Sequence, residues 1–175
     1  MGRLEWEKGI DRLIDIWLSV HNTHPDWVLD IYGQGMLQDE LQQKILAANA
    51  GTYIHLKGSS PDIMYEYLNC SLLVLTSRYE GFPMALLEAM ACGVPCVTYD
   101  CPFGPRSMIT NMRNGILVEE GDKKEMVDKI NYLIENEKNR KKIGTNARKY
   151  VLQYSQKNIM DKWNILFNNC LTLTS

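Results

Sequence analysis

Short apolar runs alternate with helical patterns several times along this chain. The apolar residues between those runs recur every three to four positions, as they do in an amphipathic helix. Because a regular succession of strands and helices builds a parallel sheet with both faces covered, the pattern predicts an α/β fold. The runs typical of buried strands span residues 27–32, 53–57, 71–76, 95–99 and 116–118.

Residues that start or stop helices mark several of the boundaries. Ser60 is expected to cap one helix, with Pro61 in its first turn. Pro83 opens the next helix, which Gly93 ends. The predicted helices span residues 10–20 and about 36–48, start near 60 and 83, and occupy three segments from 122 onward that are broken near 136 and 154.

The size and charge of the chain exclude some classes of protein. The chain has 175 residues, and 19 Lys+Arg against 21 Asp+Glu give a formal net charge of −2. A protein that binds nucleic acid through a broad basic face carries excess positive charge, so no nucleic-acid partner is expected. No linker or internal repeat divides the sequence, and we therefore predict a single domain over residues 1–175.

Neither membrane insertion nor metal binding is indicated. The best apolar run, at 72–75, is much shorter than the about 18 residues that span a bilayer, and the first residues lack an apolar signal region. The five cysteines include no Cys-x-x-Cys pair, which favours free thiols in a reducing cytosol. His21 and His24 have no acidic or cysteine partner nearby in the sequence, so a capping or exposed role is expected for them.

Two glutamates flank a predicted helix start in the middle of the chain. Gly81 and Pro83 place Glu80 in the loop after a strand and Glu88 about two turns into the following helix. Unpaired N–H groups and the helix dipole make residues 81–84 a seat for phosphate. Carboxylates bind sugar hydroxyls but repel phosphate, so the arrangement fits a nucleotide-sugar. Two isolated glutamates in other surroundings would simply be solvated charges.

The same stretch resembles the Glu-x7-Glu motif of the family 4 glycosyltransferases, written Glu-Gly-Phe-x4-Leu-Glu-Ala-Met-Ala-x-Gly-x-Pro. The resemblance implies the GT-B fold, in which two Rossmann-like domains face each other. It also implies transfer of a sugar with retention of its anomeric configuration. The matching positions are Glu80, Gly81, Phe82, Leu87, Glu88, Ala89, Met90, Ala91, Gly93 and Pro95.

The resemblance assigns roles to residues of this motif. It implies that Glu80 binds hydroxyls of the donor sugar and that Glu88 binds the ribose of the nucleotide. The diphosphate is expected to lie on the backbone of Gly81, Phe82, Pro83 and Met84.

A second element near the start, Gly2-Arg3-Leu4 followed by Lys8-Gly9, is similar to the Gly-Arg-x4-Lys-Gly element of the same family. Arg3 and Lys8 would then contact the diphosphate, where cations stabilise the charge that develops on a departing nucleoside diphosphate. The chain has no Asp-x-Asp that would bridge a metal. We therefore predict that the site uses no metal and no cofactor.

Two further segments bear on the ligand. Gly33-Gln34-Gly35 matches only the first half of a dinucleotide fingerprint, which argues against a dehydrogenase. By resemblance, Gly33 and Lys57 lie near the nucleotide base; a tight turn into a helix is the alternative for Gly33. Residues 101–105, Cys-Pro-Phe-Gly-Pro, are similar to a segment of members that use UDP-hexoses or UDP-N-acetylhexosamines, although Ser107 stands where those members commonly have Glu.

The resemblance implies a C-terminal donor-binding domain, one Rossmann-like half of a GT-B enzyme. Its partner would be an N-terminal acceptor-binding half that these residues do not include. The parent enzyme is expected to transfer a hexose or N-acetylhexosamine from a nucleotide-sugar, foremost a UDP-sugar, to a glycan or lipid-linked acceptor in cell-surface polysaccharide synthesis. It would be cytoplasmic, or peripheral at the inner membrane face. The isolated domain should catalyse little, because the active cleft needs both walls.

Two other functions remain open at this point. The first is a nucleotide-sugar-binding module without turnover, which the presence of an upstream Rossmann-like half would argue against. The second is epimerisation of nucleotide-sugars by a similar two-domain fold. An epimerase would need an acid pair suited to hydrolysing UDP intermediates, and the Glu-Gly-Phe-Pro signature argues against it.

Overall fold

The computed structural model describes residues 2–102 and 104–172, with side-chain exposures as far as residue 169. Phe103 of the Cys-Pro-Phe-Gly-Pro segment and the Cys170 side chain therefore lie outside the described residues. Three short 3-10 helices, Trp6–Lys8, Pro105–Ser107 and Leu152–Tyr154, connect the main elements. The helices are α1 Ile10–Thr23, α2 Gln38–Ala47, α3 Ile63–Asn69, α4 Met84–Ala91, α5 Lys123–Glu135, α6 Glu137–Val151 and α7 Gln156–Thr172. The strands are β1 Leu29–Tyr32, β2 Ile54–Gly58, β3 Leu73–Leu75, β4 Cys96–Tyr99 and β5 Ile116–Val118.

All five described strands are paired in parallel, as the alternation predicts, but they form two sheets. β1 pairs with β2, and β3, β4 and β5 form a second sheet in that order. A cavity of about 440 Å³ lies between the two sheets, and residues of β1 and β3 line it together. No strand of the described residues bridges β1 and β3, so the expected sheet is divided at this place.

The helix α1 joins the two sheets through a shared core. Its apolar stripe buries Ile14, Trp17 and Val20 completely or nearly so. The same hydrophobic cluster contains Leu29 of β1 and Val97 of β4. The segment before α1 bonds the carboxyl ends of strands from both sheets, because the Gly2 N–H donates to the Tyr32 carbonyl at the end of β1 and the Thr76 hydroxyl after β3 donates to the Gly9 carbonyl. The carboxyl ends of β1 and β3 therefore lie on the same side of the domain.

A second cluster fixes α4, the helix that follows Glu80. Leu86 and Met90 of α4 are fully buried and pack with Ala147 and Val151 of α6. This packing sets the direction in which the start of α4 points. None of the described helices combines the length and the hydropathy that crossing a bilayer requires.

Two details of the helices differ from the expectations. Asp62, not Ser60, caps α3, because its carboxylate accepts a hydrogen bond from the Tyr65 N–H at 3.0 Å. The Ser60 hydroxyl donates to Glu66 instead, at 3.2 Å. Since α4 begins at Met84, Glu88 lies just over one turn into the helix rather than two.

The cap assignment predicts a difference between two alanine variants. Asp62→Ala is expected to lower the free energy of unfolding by about 1 kcal/mol, because the Tyr65 N–H loses its acceptor. Ser60→Ala should have a smaller effect, since Ser60 does not cap the helix. Urea unfolding of both variants measures the difference, and a larger loss for Ser60→Ala would contradict the assignment.

Candidate functional site

The candidate site lies where the carboxyl ends of the strands meet the turn before α1. Ligands of parallel α/β folds bind at this edge, next to the place where the strand order reverses. Four segments meet there: the 3-10 turn Trp6–Lys8, the Gly33 turn after β1, residues 76–83 after β3, and residues 100–102 and 104–107 after β4.

Lys8 and Glu80 form the ion pair at the centre of this site. The Lys8 ammonium donates to both carboxylate oxygens of Glu80, at 2.8 and 2.9 Å. The Ser77 hydroxyl donates to Glu80 Oε1 at 2.7 Å. Glu80 is only 7% exposed, whereas a quarter of the Lys8 side chain faces solvent. The pair therefore places a fixed carboxylate beside an ammonium that a ligand can reach.

The turn that carries Lys8 is joined closely to the loop that carries Glu80. The Thr76 hydroxyl donates to the Gly9 carbonyl at 2.8 Å. The Arg78 N–H donates to the Glu7 carbonyl at 2.7 Å. Gly9 has φ 61°, and a Cβ at this position would lie 2.2 Å from the Thr76 carbonyl oxygen. Only glycine allows the two backbones to approach this closely.

Gly104 and Cys101 pack behind Glu80. A Cβ on Gly104 would lie 2.8 Å from the Glu80 Cβ and 3.3 Å from the Pro83 Cδ. Burial raises the pKa of the Cys101 thiol to about 11, and the nearby negative charge of Glu80 adds to the rise. A neutral thiol and a glycine therefore support the glutamate from the β4 side.

The start of α4 presents the predicted phosphate seat. Pro83 is buried and has no N–H, so it fixes the backbone and donates no hydrogen bond. Gly81, Phe82 and Met84 are exposed, and the Phe82 ring lies 6.0 Å from the Tyr154 ring in an edge arrangement. The accessible backbone at 81–84, together with the helix dipole, suits an anion.

Glu88 lies farther along α4 and contacts α3. Its Oε2 accepts a hydrogen bond from the Tyr67 hydroxyl at 3.1 Å. Burial, followed by the Glu88 charge, raises the pKa of Tyr67 well above its usual range. Tyr67 therefore stays protonated as a donor, and no described residue makes a hydrogen bond to the second Glu88 oxygen.

Gly33 positions the backbone that carries Arg3. Its φ is 148°, and a Cβ there would lie 1.7 Å from the Gly2 carbonyl oxygen. The Gly2 N–H donates to the Tyr32 carbonyl at 3.1 Å. Arg3 is exposed, and within the described residues no ion pair holds its side chain. The arginine is thus placed at the carboxyl end of β1, and no ion pair within the described residues neutralises its charge.

The structure unites some of the predicted residues and separates others. It brings Lys8, Glu80 and the 81–84 backbone together, and it places Arg3 on the neighbouring turn. Lys57 is exposed near the end of β2, and the Gly58 carbonyl next to it accepts a hydrogen bond from the Gly33 N–H at 2.8 Å. In the described part of the chain, no hydrogen bond or ion pair joins the Lys57 side chain to Lys8, Glu80 or Glu88. The sequence analysis does not single out Arg78 or Asp11. Arg78 lies two residues before the Glu-x7-Glu motif, but no pattern indicates that it meets Asp11.

The sulfur and imidazole groups show no metal centre among the described residues. Cys70, Cys92, Cys96 and Cys101 are free thiols. His21 stacks on Tyr53 with the ring centroids 3.4 Å apart. Nowhere in 2–102 and 104–172 do three His, Cys, Asp or Glu side chains come together as a metal site requires. A metal-free site remains a prediction.

Comparison with known proteins gives the class to which this fold and site belong. The profile of the family "Glycosyl transferases group 1" matches residues 1–150. The chain is 33% identical to the amylovoran biosynthesis glycosyltransferase AmsD of Erwinia amylovora over 168 residues, which is 96% of this chain and 47% of that protein. The chain therefore belongs to the group 1 glycosyl transferases, and the resemblance inferred from the motifs is confirmed.

Solved structures agree with this assignment. A TarM variant of S. aureus, crystallised with fondaparinux, α-GlcNAc-glycerol and UDP, matches with a TM-score of 0.90 and 32% identity. The match covers 95% of this chain and 35% of that one. The pneumococcal O-GlcNAc transferase GtfA, solved with UDP and GlcNAc, gives a TM-score of 0.87 at 28% identity over 97% of this chain and 34% of its own. The α/β fold is confirmed, and the chain spans half or less of the length of these relatives.

Proposed function

We propose that this chain is the donor-binding part of a retaining glycosyltransferase. The enzyme would transfer a hexose or N-acetylhexosamine from a UDP-sugar to a glycan or lipid-linked acceptor in cell-surface polysaccharide synthesis. The acceptor-binding wall of the cleft would come from a second Rossmann-like domain. Two structural relatives crystallised with UDP support the choice of nucleotide.

The observation that carries the proposal is the Lys8–Glu80 pair beside the start of α4. An ammonium and free backbone N–H groups suit a diphosphate, and a buried carboxylate next to them suits sugar hydroxyls. Arg3 adds an unpaired cation at the neighbouring strand end. The departing UDP gains charge as the glycosidic bond breaks, and these fixed positive groups would stabilise that charge.

The site residues would have separate roles in sugar transfer, and the reaction would need no covalent intermediate. Lys8, Arg3 and the α4 start hold the leaving group, while Glu80 and Glu88 hold hydroxyls of the sugar and the ribose. Retention then follows from departure and attack on the same face, with the leaving phosphate taking the proton of the incoming hydroxyl. The contribution of this domain is donor placement and leaving-group stabilisation.

Binding of UDP by the 175-residue chain tests the proposal. UDP at a hundred times its dissociation constant is expected to add about 2.7 kcal/mol to the free energy of unfolding. The shift should persist in EDTA, because no metal takes part. Arg3→Ala and Glu88→Ala should remove most of the shift, and differential scanning fluorimetry with calorimetric titration measures it.

A control and a contrary outcome accompany this test. Lys124→Ala removes an exposed charge on α5 outside the site and should leave the shift unchanged. Equal shifts in the wild type, Arg3→Ala and Glu88→Ala would refute the site assignment. UDP binding without sugar transfer by the full-length protein would favour the non-catalytic module instead.

A further inference from the structure

Arg78 connects the two segments that carry Lys8 and Glu80. Its Nη1 donates to the Trp6 carbonyl at 2.7 Å and to Asp11 Oδ1 at 2.8 Å, and its Nη2 donates to Asp11 Oδ2 at 2.6 Å. The guanidinium lies 4.8 Å from the Trp6 ring centroid. Only 14% of the side chain is exposed. Arg78 is therefore bonded to the turn before α1 and to α1, and among the described residues its side chain makes no hydrogen bond to Lys8 or Glu80.

Arg78 and Asp11 form a strong ion pair, as the pKa shifts of both groups indicate. The hydrogen bond from Arg78 lowers the pKa of Asp11, and the same bond raises the pKa of Arg78. A planar guanidinium that donates two parallel bonds to one carboxylate fixes distance and orientation together. The contact spans 67 residues of sequence, from α1 to the loop after β3.

The Lys8–Glu80 ion pair alone cannot keep the two segments at a fixed separation once a nucleotide-sugar binds. Lys8 is the group that meets the diphosphate, and Glu80 is the group that meets the sugar. Each must therefore exchange part of its bonding to the other for bonding to the ligand. The Arg78–Asp11 contact does not involve the ligand-facing atoms, so it persists through that exchange.

We propose that Arg78 is a positioning residue, which keeps Lys8 and Glu80 at their ligand-binding separation by tying the Trp6–Lys8 turn and the start of α1 to the Glu80 loop. The role rests on the proposed function, because the separation matters for a ligand with both diphosphate and sugar hydroxyls. Arg78 acts through Lys8 and Glu80 and touches neither the nucleotide nor the sugar.

The Asp11→Asn variant gives the sharpest test, because positioning and simple electrostatics predict opposite changes in the affinity for UDP. Removing a negative charge near the site would tighten binding of an anion. If Arg78 positions the pair, Asp11→Asn instead weakens UDP binding by about tenfold, since the two-oxygen contact is lost. Arg78→Lys should weaken binding by a similar factor, because lysine keeps the charge but cannot donate two parallel bonds. Isothermal titration calorimetry with UDP measures both.

A matched control lies one residue along α1. Arg12 Nη1 pairs with Glu120 Oε1 at 2.6 Å, with a side-chain exposure of 29%, and among the described residues its side chain makes no hydrogen bond or ion pair to residues 76–83. Arg12→Met should leave the UDP dissociation constant within about twofold of wild type, because an outlying ion pair contributes little. Tighter binding by Asp11→Asn, or wild-type binding by Arg78→Lys, would overturn the proposal.

A measurement without UDP separates this inference from the proposed function. The coupling between Lys8 and Glu80 is obtained from the Lys8→Met, Glu80→Gln and double variants by urea unfolding. In an Arg78→Lys background the coupling should fall to less than about half, because the two segments no longer hold their spacing. An unchanged coupling refutes the inference, whereas a wild-type chain that binds no UDP refutes the proposed function.

Discussion

Lys8→Met is expected to lower the affinity for UDP by about 10- to 100-fold, the range for losing a hydrogen bond to a charged group. The same change removes the ammonium that lies 2.8 and 2.9 Å from the two Glu80 oxygens. A nearly buried carboxylate is then left without its counter-ion, so the free energy of unfolding should also fall by about 2–3 kcal/mol. Calorimetric titration and urea unfolding measure the two effects.

A second lysine pair serves as the control for this variant. Lys129 Nζ lies 3.8 Å from Glu125 Oε1 on α5, and the two side chains are 32% and 40% exposed. Lys129→Met should cost less than about 1 kcal/mol and leave UDP binding intact. Adding Glu80→Gln to Lys8→Met should recover part of the stability, because the unpaired charge is gone. Full UDP affinity in Lys8→Met would remove Lys8 from the site.

Gly9→Ala should be strongly destabilising. Its Cβ would lie 2.2 Å from the Thr76 carbonyl oxygen and 3.0 Å from the Thr76 carbonyl carbon, both backbone atoms. The left-handed backbone alone disfavours alanine by about 1–2 kcal/mol. Forcing two backbones apart raises the expected loss to about 3–5 kcal/mol. Chemical denaturation measures it.

Gly58 serves as the control, because its backbone conformation is similar to that of Gly9 but the space around its Cβ position is open. Its φ is 69°, against 61° for Gly9, and no described atom lies within 4 Å of its Cβ position. Gly58→Ala should therefore lower the free energy of unfolding only by the cost of a left-handed backbone conformation for alanine, about 1–2 kcal/mol. An equal loss of unfolding free energy in Gly9→Ala and Gly58→Ala would contradict this account. Glycine would then be required at position 9 by its backbone conformation and not by the close approach of Thr76.

Much of the secondary structure follows from local pattern. The strand predicted at 116–118 is observed there, because a short apolar run stands between a glycine and acidic residues. The breaks near Asn136 and Tyr154 separate α5, α6 and α7 as expected. The strand expected at 71–76 is shorter, Leu73–Leu75, and the Thr76 hydroxyl just after it donates to the Gly9 carbonyl.

The pairing of distant groups does not follow from local pattern. The motifs assign Lys8 and Glu80 to one site, but their spacing does not indicate that they bond each other across 72 residues. The same holds for Arg78 and Asp11, because any of several cations and carboxylates has suitable chemistry. The order of strands is likewise a tertiary property, so periodicity does not indicate that β1 and β3 belong to different sheets.

The division between those sheets also affects how the chain behaves in solution. β1 and β3 each turn an open edge toward the cavity, and in the described part of the chain neither edge has a strand partner. Main-chain N–H and C=O groups along such edges are templates on which a further strand adds. Concentrated samples of these 175 residues should therefore self-associate first at the cavity between the β1 and β3 edges. A peptide that binds there as an added strand should keep them monomeric.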